Sequence, residues 1–440
     1  MPDRTFLAWP FFDEEHRKLA REVQSVIRRN ITLFGHSADA IPDERCRGFL
    51  RTFGDKLLKD AEERELGRET LELVQHYADL FAGRSGDDIH ERCRAFSRLF
   101  GNRLLKHAIP APFGGHKDRL DVRSICLIRE SLAYQSGLAD FAFAMQGLGS
   151  GPISLFGSDA LKKKYLPKVA SGEMIAAFAI SEPDAGSDVR SMQTMARREG
   201  DRFVINGTKT WISNADLADF YVVFCRYPEG GEESYIALLV QGQAEGLVIH
   251  RFDVLAPHPI GTLEFKDCRV PASAIVGKEG EGLKVALASL DVFRPTVGAA
   301  ALGFARRALD EAVAWAKKRK VFGKALSEFQ ITQGKFAEMA LAIDASALLV
   351  YRAAWTHDVQ KESVTREAAM AKFHATESAQ KVIDEAVQIL GGQGVLAGSV
   401  TEQLYREIRA LRIYEGTSEI QKLIIANQIL KSAAGEGSAT

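Results

Sequence analysis

The sequence predicts an α+β fold of three parts, in which helical regions flank a central β region. Up to about residue 170 the apolar residues recur at helical spacing. From about 174 to 269 short runs of β-branched and aromatic residues alternate with Gly, Asp and Asn, and from 282 onwards long alanine-rich amphipathic segments follow. We therefore expect an N-terminal helical domain over residues 1–173, an antiparallel β domain over 174–281 and a C-terminal four-helix bundle over 282–440.

The composition is that of a soluble globular protein with more than one domain. With 440 residues the chain is too long for one ordinary core, and its formal net charge of -1 favours neither nucleic acid nor an anionic membrane as a partner. No apolar run approaches membrane-spanning length, and residues 1–6 lack the layout of a signal peptide. The five cysteines are scattered without a CxxC pair, so we expect neither a metal site nor a disulfide framework, and a cytoplasmic location.

The N-terminal part contains a duplicated segment. Residues 44–61 read ERCRGFLRTFGDKLLKDA, residues 91–108 read ERCRAFSRLFGNRLLKHA, and 12 of the 18 positions are identical. Each copy carries an apolar helical stripe, which in the second copy is formed by Cys93, Phe96, Phe100 and Leu104. Two copies are too few for a solenoid. The favoured interpretation is a pair of helices that pack on each other or on a sister subunit, and the smaller alternative is a redox or metal role for Cys46 and Cys93.

Helices are predicted again from about 121 to 168, with one interruption. Residues 147–152 contain three glycines and a proline, which predict a break in the helix. This break is expected to shape a pocket floor, with Gln146, Gly147 and Gly149 as lining residues.

Two strings in the β region are candidates for ligand binding. Residues 180–188, ISEPDAGSD, follow a strand-like run, and their hydroxyl and unpaired backbone groups suit a planar polar ligand; an ordinary polar turn is the alternative. In residues 207–214, GTKTWISN, strand alternation places Trp211 and Ser213 on one side. An indole beside a hydroxyl can stack on a flat ring and hydrogen-bond its edge, although a single Trp on a strand is more often core.

Two breaks between the C-terminal helices carry further candidates. The bundle is predicted from segments at about 283–318, 327–357, 363–390 and 416–431. Residues 319–330 read RKVFGKALSEFQ, and Arg319 at a helix end can pair with a phosphate or simply complement the helix dipole. Residues 388–394, QILGGQG, can cap a helix or hold phosphate or ribose through the backbone.

Residues 411–419, LRIYEGTSE, are the strongest candidate for catalysis. Glu415 stands directly before Gly416, so a ligand can meet the carboxylate and the backbone together. Thr417 and Ser418 can cap the following helix. The alternative is a plain helix start, with Glu419 in the first turn as the dipole complement.

Taken in this order and on this layout, these strings strongly resemble the acyl-CoA dehydrogenase family of flavoproteins, over roughly residues 109–430. The resemblance implies that FAD is the cofactor and that an acyl-CoA thioester is converted into its trans-2-enoyl form. A carboxylate removes the α-proton while the β-hydrogen leaves as hydride to flavin N5. The resemblance further implies an electron-transferring flavoprotein as acceptor and a homo-oligomer, either a dimer or a tetramer.

The resemblance assigns roles to residues. Glu415 matches the catalytic base, and the position of the base in another branch of the family, directly before Arg294, is occupied by Phe293. FAD contacts are implied for Ile180, Ser181, Ser187, Trp211, Ser213, Arg319, Phe322, Gln330, Gln388, Gly391, Gly392, Thr417 and Glu419. Substrate contacts are implied for Ser187, Asp291, Arg294 and Gly416.

The chain departs from the family at two positions that bear on the substrate. Arginines that hold CoA phosphates in well-known members align with Ala347 and Asn427. Either other basic residues replace them, or the thioester is carried by an acyl carrier protein. Further alternatives are an acyl-CoA oxidase on the same fold and a catalytically silent relative used for binding. The acyl group itself is not determined by the sequence.

Overall fold

The computed structural model describes residues 13–16, 18, 19, 21, 22, 87–231 and 234–433. The first copy of the duplicated segment and the terminal residues 435–440 lie outside these ranges. Helical residues between 14 and 22 agree, as far as they are described, with the helical region predicted up to about residue 170. The predicted order of helices, strands and helices is confirmed over the rest of the chain.

Between residues 87 and 175 the structure has four α-helices before the first strand: α1 Asp87–Phe100, α2 Val122–Gln135, α3 Gly137–Phe156 and α4 Asp159–Ala170. Serine caps begin α3 and α4, since Ser136 Oγ accepts from the N–H of Ala139 and Ser158 Oγ from the N–H of Leu161. The apolar stripe of the second copy is buried on α1, with Leu104 in the 3₁₀ turn that follows. This stripe therefore contributes to the core of its own chain.

Seven strands form one sheet: β1 Ala176–Ala179, β2 Met195–Glu199, β3 Arg202–Ser213, β4 Phe220–Arg226, β5 Tyr235–Gln241, β6 Leu247–Phe252 and β7 Ile260–Pro271. The order is β1-β4-β2-β3-β7-β6, and β5 lies on the other edge of β4. The β2–β3, β3–β7, β6–β7 and β4–β5 pairs are antiparallel as expected, but β4 pairs in parallel with β1 and, at Met195 and Arg226, with β2. A parallel pair needs a long crossover, which the intervening β2 and β3 supply.

The C-terminal region contains α5 Gly282–Lys318, α6 Gln330–Trp355, a π-helical turn Thr356–Gln360, α7 Thr365–Leu390, α8 Val400–Leu411 and α9 Ser418–Ala433. A small hairpin, β8 Lys320–Val321 and β9 Lys324–Ala325, joins α5 to α6. The bundle was expected to have four helices, and α8 is a fifth. Of the described helices, only α5 is long and apolar enough to span a membrane, and most of it is buried against neighbours such as α2 and α7.

The predicted break at residues 147–152 is wrong, because α3 continues through it. A Cβ on Gly149 would lie 2.7 Å from the backbone of Ala176 in β1, and a Cβ on Gly147 or Gly151 would lie 2.8 Å from the Phe293 ring. The glycines therefore allow close packing rather than a turn. Gln146 is buried, and its side chain bonds Ser97 and the N–H of Ala176; its place in the lining of a substrate pocket stays a prediction.

Candidate active site

The turn between α8 and α9 carries Glu415. Glu415 has φ +54° and Gly416 has φ +92°, so both residues are in the left-handed region. A glutamate in this conformation is uncommon and is retained only where its surroundings fix it. Thr417 caps α9 as predicted, because its Oγ1 accepts from the N–H of Ile420 at 3.4 Å, and Ser418 Oγ donates to Glu377.

Three side chains from three helices hold this turn by its carbonyl oxygens. Arg294 of α5 donates from Nε to the Glu415 carbonyl at 3.2 Å. Gln421 of α9 donates from Nε2 to the carbonyls of Glu415 and Gly416, at 3.2 and 2.9 Å. Lys372 of α7 donates from Nζ to the Gly416 carbonyl at 2.6 Å. The conformation of the turn is therefore determined by the bundle around it.

The Glu415 carboxylate is desolvated and incompletely paired. The residue is half-buried, but its Oε2 atom is buried and has no hydrogen-bond partner among the described residues. Burial raises the pKa of Glu415, while Arg129, Lys372 and Arg294 act to lower it. A carboxylate of this kind is a better proton acceptor than an exposed one, because its pKa is moved towards the operating range.

A buried ion pair that the sequence analysis missed lies close to Glu415. Arg129 of α2 binds Asp140 of α3 through two hydrogen bonds, of 2.8 and 2.7 Å, and donates to Thr296 at 3.0 Å. Burial raises the pKa of Asp140 although Arg129 opposes this. The sequence does carry a signal for both residues, because each is a charged residue within the apolar pattern of its helix. Lys372 was missed in the same way, within the alanine-rich face of α7.

The structure brings the predicted substrate residues of α5 to this turn. Arg294 donates to Asp291 Oδ1 at 2.8 Å, and Asp291 Oδ2 accepts from Thr365 at 2.6 Å. The ring of Phe293 is buried against Gly147 and Gly151. Phe293, the residue directly before Arg294, is therefore a core residue.

The loop that follows β1 is fastened to β3 by a buried lysine. Lys209 donates from Nζ to the Ile180 carbonyl at 2.9 Å and to Glu182 at 2.8 Å. The N–H of Thr210 donates to the Ser181 carbonyl at 2.9 Å. Ser187, further along the loop, is exposed. The loop is thus rigid at Ile180 and Ser181 and open at Ser187.

Trp211 is a surface residue, so its alternative role in the core is wrong. It is 63% exposed, has φ +60° and meets Phe252 edge to face with ring centroids 4.9 Å apart. The register shifts between Lys209 and Ile212, so strict alternation does not set its direction. The bulge sets the direction of the exposed indole, and a flat ring can stack on the face of that indole.

The remaining predicted FAD residues lie at another end of the bundle and are exposed: Arg319, Phe322, Gln330, Gln388, Gly391 and Gly392. Phe322, which is 97% exposed, forms the β8–β9 turn with Gly323, at φ +48° and +85°. Gln388 lies sixteen residues after Lys372 on α7, which corresponds to about 24 Å along the helix axis. One chain therefore does not bring this group to Glu415.

These features fit the FAD that the resemblance implies. Trp211 offers an open aromatic face beside the half-buried Ser213. A Cβ on Gly391 or Gly392 would meet no atom within 4 Å, so a phosphate or ribose can approach the backbone there. Arg319, exposed at the end of α5, supplies a cation for phosphate.

Three family models match the chain. They are described as acyl-CoA dehydrogenase N-terminal domain, over residues 60–173, middle domain, over 177–268, and C-terminal domain, over 280–430. The probable acyl-CoA dehydrogenase FadE25 of Mycobacterium tuberculosis is 36% identical over 327 residues, which cover 73% of this chain and 84% of the relative. The human mitochondrial short-chain specific acyl-CoA dehydrogenase is 43% identical over 286 residues, 64% of this chain and 69% of the relative.

Solved structures show the same fold. An acyl-CoA dehydrogenase complexed with FAD from Bacillus anthracis has a TM-score of 0.76 at 29% identity, covering 97% of this chain and 68% of that one. A structure reported for the electron transferring flavoprotein of Acidaminococcus fermentans has a TM-score of 0.71 at 31% identity and covers 90% and 100%. The prolyl acyl carrier protein oxidase AnaB has a TM-score of 0.72 at 28% identity and covers 89% and 100%.

Proposed function

Because the chain belongs to the acyl-CoA dehydrogenase family of FAD-dependent oxidoreductases, we propose that it converts an acyl-CoA thioester into the 2-enoyl thioester. Glu415 takes the α-proton in this reaction. FAD, when bound, would supply the redox chemistry by accepting the β-hydrogen as hydride. The observation that carries the proposal is the buried, unpartnered Oε2 atom of Glu415.

The backbone of the same turn supports the proposal. An unactivated α-proton is too weakly acidic for a glutamate, so the thioester carbonyl must be polarised as negative charge develops on it. Within the part of the chain that the structure describes, the N–H of Glu415 donates to no acceptor. This N–H is therefore available to the thioester oxygen, while Oε2 of the same residue is available to the α-proton.

We propose that Ser187, Asp291, Arg294 and Gly416 contact the substrate. Arg294 is almost fully buried and bound to Asp291 and the Glu415 carbonyl, so its role is to order the turn beside the substrate. The predicted FAD contacts divide between the turn and β region on the one hand and the far end of the bundle on the other. This division supports a homo-oligomer in which a neighbouring copy completes each FAD site.

The carrier of the acyl group has two candidates. Ala347 is completely buried in the bundle and Asn427 is uncharged, so neither position provides an arginine that could bind the CoA phosphates. The likeness to a prolyl acyl carrier protein oxidase adds an acyl carrier protein as the second candidate. As electron acceptor we propose an electron-transferring flavoprotein, on the basis of the likeness to the Acidaminococcus fermentans structure, and as location a reducing cytoplasm.

An anaerobic titration tests the reaction class. The purified holoenzyme is mixed with acyl thioesters of CoA and, in parallel, of an acyl carrier protein, with straight, branched, aromatic and carboxylated acyl groups. Bleaching of the flavin that reverses slowly in air supports the dehydrogenase. Rapid peroxide formation identifies an oxidase, and the absence of bleaching with every thioester contradicts the proposal.

The variant Glu415→Gln tests the base. It removes the proton acceptor and preserves side-chain size, so FAD binding and folding are retained while flavin reduction slows by at least about four powers of ten. Glu199→Gln, a change of an exposed carboxylate on β2, is the control and keeps the wild-type rate. A Glu415→Gln rate within about tenfold of wild type shows that another group takes the proton.

A further inference from the structure

Lys372 is a lysine enclosed in the protein interior. It lies on α7 among the buried residues Ala368, Ala371 and Ala375, and no part of it is exposed. A lysine in such a position usually extends its ammonium to the surface. Here the ammonium instead donates to the carbonyl of Gly416, next to Glu415, at 2.6 Å.

The ammonium of Lys372 is without a contacting carboxylate in the part of the chain that the structure describes. Among the described residues, no carboxylate oxygen lies within ion-pair distance of its Nζ atom. Enclosing an unpaired charge is unfavourable, and carboxylates at longer range offset part of this cost. Burial lowers the pKa of Lys372 to about 8, and Glu415 provides the largest opposing effect, ahead of Glu377 and Glu419.

The other two cations near Glu415 are already paired. Arg129 is bound by Asp140 through both carboxylate oxygens, and Arg294 is bound by Asp291. Their fields at Glu415 are therefore partly cancelled by an adjacent negative charge. Within the described residues, Lys372 is the cation near Glu415 whose charge no contacting carboxylate cancels.

We propose that Lys372 is a positioning residue for proton abstraction, which holds the Glu415–Gly416 turn through the Gly416 carbonyl and favours the ionised form of Glu415. This inference rests on the proposed function, in which Glu415 is the base. Burial then raises the pKa of Glu415, and the ammonium of Lys372 lowers it. Burial strengthens Glu415 as an acceptor, and Lys372 keeps it unprotonated at the operating pH.

Several helices contribute charges that act on Glu415: Arg129 from α2, Asp140 from α3, Arg294 from α5 and Lys372 from α7. The adjacent Tyr414 also interacts with Glu415, and Glu377 of α7 and Glu419 of α9 act on Lys372. The base is active when ionised, so the rate of flavin reduction rises with pH through its pKa. Removing the Lys372 charge raises that pKa. The rising part of the pH profile must then move to higher pH.

Three variants of the holoenzyme separate the charge from the hydrogen bond. Lys372→Met removes both, whereas Lys372→Gln removes the charge and retains a donor for the Gly416 carbonyl. Gln421→Met removes neutral donors to the same two carbonyls and leaves the charge. Lys372→Gln also preserves a polar partner in the interior, so it provides the measurement should Lys372→Met fail to fold.

Two readouts are taken as a function of pH: flavin reduction by the best thioester, and the infrared band of the protonated Glu415 carboxyl, identified by its loss in Glu415→Gln. In both Lys372 variants we expect both midpoints to rise by about one pH unit or more. Gln421→Met is expected to slow reduction without moving either midpoint. Wild-type midpoints in both Lys372 variants, or an equal shift in Gln421→Met, overturn the inference.

The infrared measurement needs no turnover, so it distinguishes failure of the proposed function from failure of the inference about Lys372. If no thioester bleaches the flavin, or if Glu415→Gln still reduces it, the proposed function fails whatever Lys372 does. If wild type and Glu415→Gln behave as proposed while the carboxyl band is unmoved in Lys372→Gln, the inference alone fails.

Discussion

Lys209 and Lys372 have no exposed surface, and each donates to a backbone carbonyl in a segment that carries predicted site residues. They differ in how their charge is offset. Lys209 touches the carboxylate of Glu182, whereas Lys372 touches none among the described residues. Loss of Lys209 should therefore lower mainly the stability of the protein, and loss of Lys372 should change mainly the pKa of Glu415, the proposed base.

Lys209→Met tests the first of these expectations. The change leaves Glu182 buried without its cation and the Ile180 carbonyl without its donor, so the free energy of unfolding should fall by about 3–5 kcal/mol. Chemical denaturation measures it. The control is Lys266→Met, whose partner Glu264 forms an exposed pair on β7, for which a loss below about 1 kcal/mol is expected. Equal losses for the two variants contradict the structural role of Lys209.

The effect of Lys209→Met should depend on pH in a definite direction. Burial favours the protonated form of Glu182, but Lys209 and the backbone donors of Gln193 and Thr194 hold its pKa below its ordinary value of 4.5. A depressed carboxyl pKa contributes stability that is present above the unfolded pKa and lost as pH falls through the folded pKa. The stability difference between wild type and Lys209→Met should thus shrink as the pH falls, because Glu182 without its cation takes up a proton at higher pH in the variant than in the wild type. A difference that is constant from pH 7 to 4 contradicts this.

At the scale of elements, spacing and composition predicted most of the helices and strands but not their fine geometry. The glycines of α3 illustrate the limit, because a turn and a close helix contact call for the same small residue. The bulge at Trp211 and the parallel β1–β4 pair depend on partners distant in sequence. Glu415 could be proposed as the base because its local string resembles that of the family. Lys372, Arg129 and Asp140 were missed because their partners lie on other helices.

The packing role of the α3 glycines can be measured with a matched pair of variants. In Gly149→Ala the new Cβ would lie 2.7 Å from the Ala176 backbone. Because backbone atoms cannot move away without disturbing β1, the free energy of unfolding should fall by about 1–3 kcal/mol. Gly334→Ala, on the exposed face of α6 with no atom within 4 Å, should gain up to about 1 kcal/mol from helix propensity. A stable Gly149→Ala protein with an unchanged denaturation midpoint contradicts the close contact.

At the scale of the whole molecule, the predicted FAD residues form two groups. One group belongs to the β region and to the turn that carries Glu415, and the other lies at the far end of α7, about 24 Å from Lys372 along the helix axis, on surface that a single chain leaves exposed. No comparable separation could be seen in the sequence, where the strings simply follow one another. The separation supports the proposal that each FAD site takes residues from two copies of the chain.

Phe322 allows this proposal to be tested without damaging the protomer. It occupies the first position of a two-residue turn, followed by Gly323, and both residues have positive φ. This turn type favours Asn-Gly, so Phe322→Asn should leave the hairpin at least as stable as before. A phenylalanine that is 97% exposed in an unfavourable conformation has its explanation in a partner surface or a ligand.

In Phe322→Asn we expect unchanged or slightly higher stability of the protomer, together with weaker FAD retention and a smaller assembly on dilution, measured by light scattering and flavin absorbance. Leu255→Asn, a change of another exposed apolar side chain, is the control and should alter neither. If Phe322→Asn retains wild-type mass and FAD occupancy at every concentration, this turn contributes to no shared site. Arg319, Gln388 and Gly391 would then have to be assigned a role at the surface of a single chain.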